Sequence, residues 1–222
     1  MNGSLRVGSD GVNRCWWCGD DKQYQTYHDT EWGWALHGES KVFEKLILEG
    51  MQAGLSWITI LRKRENFRAA FSNFDIDTVA AFGDDDVARL MGDAGIVRNR
   101  AKIEAAIGNA RAAQKMLAEG QSLDELCWSF APPPREHMLT VTDEIDGHIP
   151  ESKALSKELL KRGFRFVGPT TMYAFMQSSG MVNDHIQGCE RLPVKAPTKT
   201  TANKVVAREA SKITAKAATS KK

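Results

Sequence analysis

The residues best suited to chemistry in this chain sit near its two ends: Cys15, Cys18 and His28 early, His185 and Cys189 late. His185-Ile-Gln-Gly-Cys189 spaces two ligands at i, i+4, which on a helical turn puts both side chains on one face. Such a pair suits one tetrahedral zinc. Cys15-Trp-Trp-Cys18 has the C-x2-C spacing of a zinc knuckle, but its second half lies far away in sequence, and His28 follows as a further candidate. A four-ligand site would join the two ends of the folded body and leave one of Cys15, Cys18 or His28 over. With every position filled, it would be structural. Ordinary buried thiols and surface histidines are the competing reading.

Glu49 falls on an apolar helical stripe with Val42 and Leu46. A carboxylate there costs desolvation energy unless something pairs with it, so it reads either as a helix-end residue reaching solvent or as a buried acceptor facing a pocket. Trp16, Trp17, Tyr24, Tyr27, Trp32 and Trp34 crowd the region just before it, with Trp57 just after. Core packing accounts for any one of them. Together, flat faces beside a carboxylate make a pocket for a planar cationic ligand. A fourth feature is Lys161-Arg-Gly-Phe-Arg-Phe-Val-Gly-Pro-Thr-Thr171. A glycine-ended helix, a tight turn and a proline-started helix make a helix–hairpin–helix whose exposed amides, at Gly168 and Thr170, can bind a phosphate. Arg162 and Arg165 add charge beside it; an ordinary turn between two helices is the bland alternative.

The elements that must position these residues read as helices joined by short breakers. Ser40 caps a helix to Gly50, and Ser56 opens another to about Phe71. Asp75–Gly83 and Asp84–Met91 are short helices, and Arg98–Ala118 is a long Ala-rich one. Ser122-Leu-Asp-Glu125 fits a capping box before Leu126–Phe130. Pro132-Pro-Pro134 opens a polar connection to about Ser152. Lys153–Arg162 and Pro169–Gln177 complete the set. Strand-like alternation is scarce and no repeat is visible, so the fold class is all-α.

At 222 residues, with 42% hydrophobic and 26% charged side chains, the chain is long enough for a sizeable core and excludes collagen, fibrous repeats and wholesale disorder. Apolar runs are too short to span a bilayer. No secretory signal is visible, and four cysteines without one suggest a reducing, cytoplasmic setting. The net charge of +2 hides an asymmetry: Lys195 to Lys222 carries seven Lys and one Arg against one Glu, leaving the rest of the chain acidic. That tail cannot bury enough apolar surface to fold alone. It is either a solubilising terminus or a polycation adding salt-sensitive affinity for phosphate backbones.

Arg14-Cys15-x-Trp17, Tyr27-His28-Asp-x-Glu31-Trp32-Gly33, Leu48-Glu49-Gly-x-Gln52-Ala-Gly-Leu-Ser-Trp57 and Lys63-Arg-Glu-Asn66 resemble the DNA-3-methyladenine glycosylase I family. So do Asp93-Ala-Gly-Ile96, Lys102-Ile103, Lys161-Arg-Gly-Phe-x-Phe-Val-Gly168 and Val182-Asn-Asp-His185-x-x-x-Cys189. The match runs from about Arg14 to Pro193. It implies a glycosylase domain over 14–193, an unordered extension over 1–13 and a basic tail over 194–222. The fold it implies is the helix–hairpin–helix glycosylase bundle, and the activity is hydrolysis of 3-methyladenine from double-stranded DNA by a monomer that leaves an abasic site.

The resemblance assigns one structural zinc to Cys15, His28, His185 and Cys189, with Cys18 the spare. It makes Glu49 the catalytic pocket carboxylate, with Tyr27 also hydrogen-bonding the adenine edge. Trp57 and Trp17 give stacking faces, and Tyr24 and Trp32 line the same pocket. It sends the turn from Gln52 to Leu55 into the duplex where the base leaves. N3-methylation makes adenine cationic, so it departs as a neutral purine without a strong general acid, and aromatic faces favour that cation. Asn183 stands where most of the superfamily has a catalytic Asp, and Asp184 is not expected to serve as the base. No lysine takes the position of the lyase nucleophile, which implies a monofunctional hydrolase. Two other readings are a non-catalytic zinc-stabilised DNA-binding module and a zinc hydrolase acting on a small molecule.

Overall fold

Capping residues and glycine breaks divide this chain into short helices, and the computed structural model describes residues 5–143 and 146–190. A hairpin of β1 (Leu5–Val7) and β2 (Asn13–Cys15) leads into α1 (Lys22–Thr30), α2 (Glu39–Gln52) and α3 (Trp57–Ala70). Then come α4 (Ile76–Ala80), α5 (Asp84–Gly92), the long α6 (Arg100–Ala118) and α7 (Leu123–Ser129). The last pair is α8 (Pro150–Lys161) and α9 (Pro169–Ser178). The described residues are therefore predominantly helical, and no helix among them is long and apolar enough to cross a membrane. The basic tail from 194 onward lies outside the described residues.

Local chemistry explains most boundaries. Asp75, Asn99 and Ser122 each accept a backbone N–H of the first helical turn, from Thr78, Lys102 and Glu125 respectively, satisfying donors that a helix start leaves orphaned. Pro169 stands at the first turn of α9, where its missing N–H is not needed. Helix α8 begins at Pro150 rather than near Lys153, because Ile149 N–H donates to Ser152 Oγ at 3.0 Å and sets the cap earlier.

Three features depart from the sequence expectations. Residues 5–13, expected to be unordered, contain β1, which pairs antiparallel with β2 in the register Leu5 to Cys15. Glu190 anchors this hairpin by accepting from Asn13 Nδ2 at 2.8 Å, and its own N–H donates to Asn13 O at 3.0 Å. Helix α1 has no counterpart among the expected helices, although Asp21 accepts from Tyr24 N at 2.9 Å as its cap. His185 and Cys189 do not lie on a helical turn. Ile186 bridges Leu139, and the chain then turns through Gly188 at φ 92°.

Helix α2 is the central element. Val42, Phe43, Leu46, Ile47, Leu48 and Met51 are all buried, so its apolar surface faces neighbours on several sides. Phe67, Phe71 and Phe74 pack at the end of α3, with Phe71 and Phe74 stacked at 5.7 Å. Helix α9 closes the other side with fully buried Met172, Phe175 and Met176. It ends in a turn at Gly180 (φ 73°) that lies directly against the backbone of Trp34 and Ala35.

That close approach gives a paired prediction. A Cβ on Gly180 would sit 2.6 Å from the Trp34 carbonyl carbon, in a left-handed conformation. Gly180→Ala should therefore lose at least about 2 kcal/mol of stability. Gly108 is inside α6 with open space where its Cβ would be, so Gly108→Ala should gain roughly 0.5–1 kcal/mol. Chemical denaturation of the two variants measures both.

Candidate functional site: a buried carboxylate in an aromatic cavity beside a Cys/His cluster

Helix α1 carries two functions on adjacent faces. Tyr24 and Tyr27 line a cavity, while His28 turns toward the C-terminal segment. There it joins Cys15, His185 and Cys189, and the four ligand atoms all lie within 4.8 Å of one another. Cys189 Sγ is 3.5 Å from both His28 Nε2 and His185 Nδ1, and Cys15 Sγ is 3.6 Å from His185 Nδ1. A tetrahedral ion with two sulfur and two nitrogen ligands places them roughly 3.3–3.8 Å apart. The outward ring nitrogens are also engaged: His28 Nδ1 pairs with Asp29 Oδ1 at 2.8 Å and His185 Nε2 with Trp32 O at 3.3 Å. Both imidazoles are thereby held in the tautomer that points a lone pair inward.

Arg14 extends this support by donating to Asp29 at 2.8–3.0 Å and to Asp10 at 2.7–2.9 Å. The adjacent Cys189 sulfur and burial push the Cys15 thiol well up, a cost that a bound cation would offset. These four residues could hold a metal ion. Cys18 is buried but outside the group, its S–H donating to Cys15 O at 3.2 Å.

The cluster is also a wall of the neighbouring cavity. The Trp32 ring lies 4.6 Å from that of His185, and Trp17 lies 5.2 Å from His28 and 4.9 Å from Trp32. The cavity measures about 420 Å³, within the size range of small-ligand pockets. Trp17, Tyr24, Tyr27, Trp32 and Trp57 surround it on one side, with Glu49 behind them.

Glu49 is 4% exposed and accepts from Ser178 Oγ at 2.9 Å. Burial raises its pKa to about 7, against the opposing pull of the Lys45 charge and the Ser178 hydrogen bond. Lys45, one turn earlier on α2, is itself buried. Its Nζ sits 5.0 Å from the Tyr27 ring centre and 5.2 Å from that of Trp57, and donates to Tyr27 Oη at 3.4 Å. Burial lowers the Lys45 pKa while Glu49 resists the shift. Burial also holds the Tyr27 phenol well above its ordinary pKa, so it stays a neutral hydroxyl. Trp57 Nε1 is buried without a hydrogen-bond partner among the described residues. The side chains of Glu49, Tyr27 and Trp57 therefore line one cavity together with other flat rings.

Three further lining residues are not singled out in the sequence reading, whereas Asp184 is named there only as not expected to be the base. Tyr173, Gln177 and Ser178 reach the cavity from α9, and Asp184 from the segment that follows. Asp184 Oδ1 accepts from Arg135 Nε at 3.0 Å and a terminal Arg135 nitrogen at 2.8 Å. Its Oδ2 accepts from Gln177 Nε2 at 2.8 Å and from the Tyr173 hydroxyl. Four donors occupy its lone pairs, so it is poorly placed to take a proton from water. Lys45 and Ser178 carried one readable signal each: Lys45 stands at i−4 from Glu49, and Ser178 lies in the last turn of a helix of known start.

Of the remaining predicted residues, Gln52 and Thr170 reach the cavity lining. Leu55 is 43% exposed on the turn after α2. Arg165 and Gly168 lie on the α8–α9 connection, with Arg165 N–H donating to Asn109 Oδ1 at 2.8 Å.

A family model described as methyladenine glycosylase matches residues 17–192. The chain is 50% identical over 187 residues to DNA-3-methyladenine glycosylase 1 of Escherichia coli (strain K12), covering 84% of this chain and all of that one. This chain belongs to the methyladenine glycosylase family. Its relatives are named as enzymes that act on the N-glycosidic bond of DNA. A crystal structure of 3-methyladenine DNA glycosylase I superposes with a TM-score of 0.78 at 49% identity, covering 81% of this chain and 100% of the other. A tyrosine-to-phenylalanine variant of a 3-methyladenine DNA glycosylase I, in complex with 3-methyladenine, gives 0.76 at 33% identity, covering 82% and 98%.

The Glu49 geometry carries a stability prediction. Its pKa is raised from 4.5 to about 7 on folding, so the stability associated with its protonated form is full below about pH 4.5. It is lost as pH rises through about 7, by up to about 3 kcal/mol. Glu49→Gln should flatten this decline and exceed wild type in stability at pH 8. Denaturation midpoints of the two proteins across pH 5–8 check it.

Proposed function

We propose that this chain is a monomeric DNA-repair glycosylase that flips 3-methyladenine out of double-stranded DNA and hydrolyses its bond to deoxyribose. The observation that carries this reading is Glu49, a buried carboxylate facing an aromatic cavity and holding a single protein hydrogen bond among the described residues. Its free lone pairs suit the exocyclic amine of a flipped base, and the neutral Tyr27 hydroxyl suits a ring nitrogen. The faces of Trp17, Trp32 and Trp57 favour a cationic purine over ordinary adenine.

The lesion departs as a neutral base, so no strong acid is required, and the engaged Asp184 agrees with a site that has no carboxylate base. The pocket orients the base, shields the glycosidic bond from bulk water and stabilises cationic character. Water then attacks C1′, and with no lysine nucleophile assigned, the product is an abasic site without strand cleavage.

The cation assigned to Cys15, His28, His185 and Cys189 is one zinc, by the borderline-soft character of a two-Cys, two-His donor set. When bound, it cross-links the start and end of the folded body and steadies Trp17 and Trp32. Four protein ligands leave it no open position. The α8–α9 connection is assigned as the helix–hairpin–helix that holds DNA phosphates.

Release of free base from methylated duplex DNA, resolving 3-methyladenine from 7-methylguanine, tests the reading. Selective 3-methyladenine release is expected, with Glu49→Gln lowering kcat/KM by at least about 100-fold, the size of losing a key polar contact. Because the carboxylate form is the acceptor, wild-type kcat/KM should rise with pH through about 7 and level off above it. Folded protein with no release would favour the DNA-binding module. Elemental analysis should find one zinc per chain. Cys189→Ser should lose it and at least about 3 kcal/mol of stability.

A further inference from the structure

Two buried polar side chains of α6 are spent on the backbone of loops that α6 does not belong to. Lys102 Nζ donates to Met51 O at 2.9 Å and to Ala53 O at 2.6 Å, at the C-terminal end of α2. A helix end leaves carbonyls without partners, and here an ammonium from another helix takes two of them. The turn that follows is tight: Leu55 N–H donates to Gln52 O at 2.6 Å, and Gly54 has φ 79°. Leu55 is exposed on this turn, whose first residue, Gln52, is part of the cavity lining.

Seven residues along α6, and so on the same face, Asn109 grips the α8–α9 connection. Its Nδ2 donates to Arg165 O at 3.0 Å and its Oδ1 accepts Arg165 N–H at 2.8 Å. This pair of hydrogen bonds to one residue's backbone copies a strand pairing and fixes the connection in place. Phe166, next along, is held at φ 57°, an uncommon conformation for an aromatic residue. Between the two grips α2 touches the connection directly. A Cβ on Gly50 would lie 3.3 Å from both the Phe166 Cβ and its backbone oxygen. The start of the Leu55 turn and the Arg165–Phe166 backbone are therefore both tied to α6, and α2 meets the connection at Gly50.

We propose that α6 is a brace that sets the spacing between the Leu55 turn and the α8–α9 connection, with Lys102 and Asn109 as positioning residues for opening the duplex. This rests on the proposed glycosylase reading, in which the turn enters the helix stack and the connection holds phosphate. Prying a base out requires the wedge to press while the backbone is held. A wedge on an unsupported turn would yield instead of the base pair. Neither side chain lines the cavity, so the brace acts on strand opening and not on recognition of the free base.

The test compares Lys102→Met, Lys102→Arg and Asn109→Leu, with Leu55→Ala as partner in a double-mutant cycle. Excision of 3-methyladenine from duplex DNA, equilibrium dialysis of free 3-methyladenine and binding to a duplex with a tetrahydrofuran abasic analogue are the readouts. Lys102→Met should lower duplex kcat/KM by at least about tenfold while leaving free-base affinity within about twofold. Lys102→Arg, which keeps donors for both carbonyls, should recover most of the loss. In the Leu55→Ala background, Lys102→Met should cost less than about twofold more. Should Lys102→Met fail to fold, Asn109→Leu decides, with duplex binding expected to fall and free-base affinity to hold. Full additivity with Leu55→Ala, or a parallel loss of free-base affinity, overturns the brace. If wild type releases no base, the glycosylase reading fails separately, and unchanged binding of the abasic-analogue duplex by Lys102→Met and Asn109→Leu would overturn the brace as well.

Discussion

Glu49 is a carboxylate withdrawn from water, and four helices are arranged around that fact. Left alone in apolar surroundings, such a group would protonate or disrupt the fold. Instead Ser178 of α9 donates to it, Lys45 of α2 biases it toward charge, and Tyr27 and Trp57 from α1 and α3 enclose it. None of these satisfies it completely. Its remaining lone pairs are an unfinished hydrogen-bond set, and an unfinished set in a dry cavity discriminates strongly among ligands. The same incompleteness explains why function and stability pull in opposite directions at this residue: ionisation that suits a cationic ligand burdens the fold.

The Cys/His cluster answers a different need. Flat rings bind a planar ligand only if they stand still, and Trp17 and Trp32 sit in short, irregular segments rather than in the middle of long helices. Packing them against the buried rings of His28 and His185 backs them with a close-packed cluster. Arg14, Asp10 and Asp29 continue that support to the surface. The cavity therefore has one wall backed by the Cys/His cluster and another held by the hydrogen-bonded set of Arg135, Asp184, Tyr173 and Gln177.

Legibility in the sequence followed how local the physics was. Helices opened at Ser56, Asp75, Ser122 and Pro169 were readable because the residue type that starts each helix lies within a turn of it. Helix α1 was not, because its inward residues serve a cavity and a ligand cluster and so show no apolar period. The N-terminal hairpin was hidden for a related reason, since three-residue strands depend on Glu190, far away in sequence. At the site, Cys, His and Trp residues announced themselves by type. Lys45 did not, because a lysine on a helix ordinarily means solvent, and only the packing of α1 and α3 turns that face inward. Asp184 was visible, yet its engagement depends on Arg135 from a proline-rich loop with no periodic signal.

The separation of the cluster's halves bears on the order in which the molecule is made. Cys15 and His28 leave the ribosome early, whereas His185 and Cys189 come near the end of the folded body. Contacts over such a span are among the slowest a chain forms. The nascent chain therefore carries half of the Cys/His group through most of its synthesis, and Trp32 lacks its His185 contact until the last segment arrives. Closing the cluster waits for residues 185–189, so the finished wall of the cavity requires both ends of the folded body to be docked.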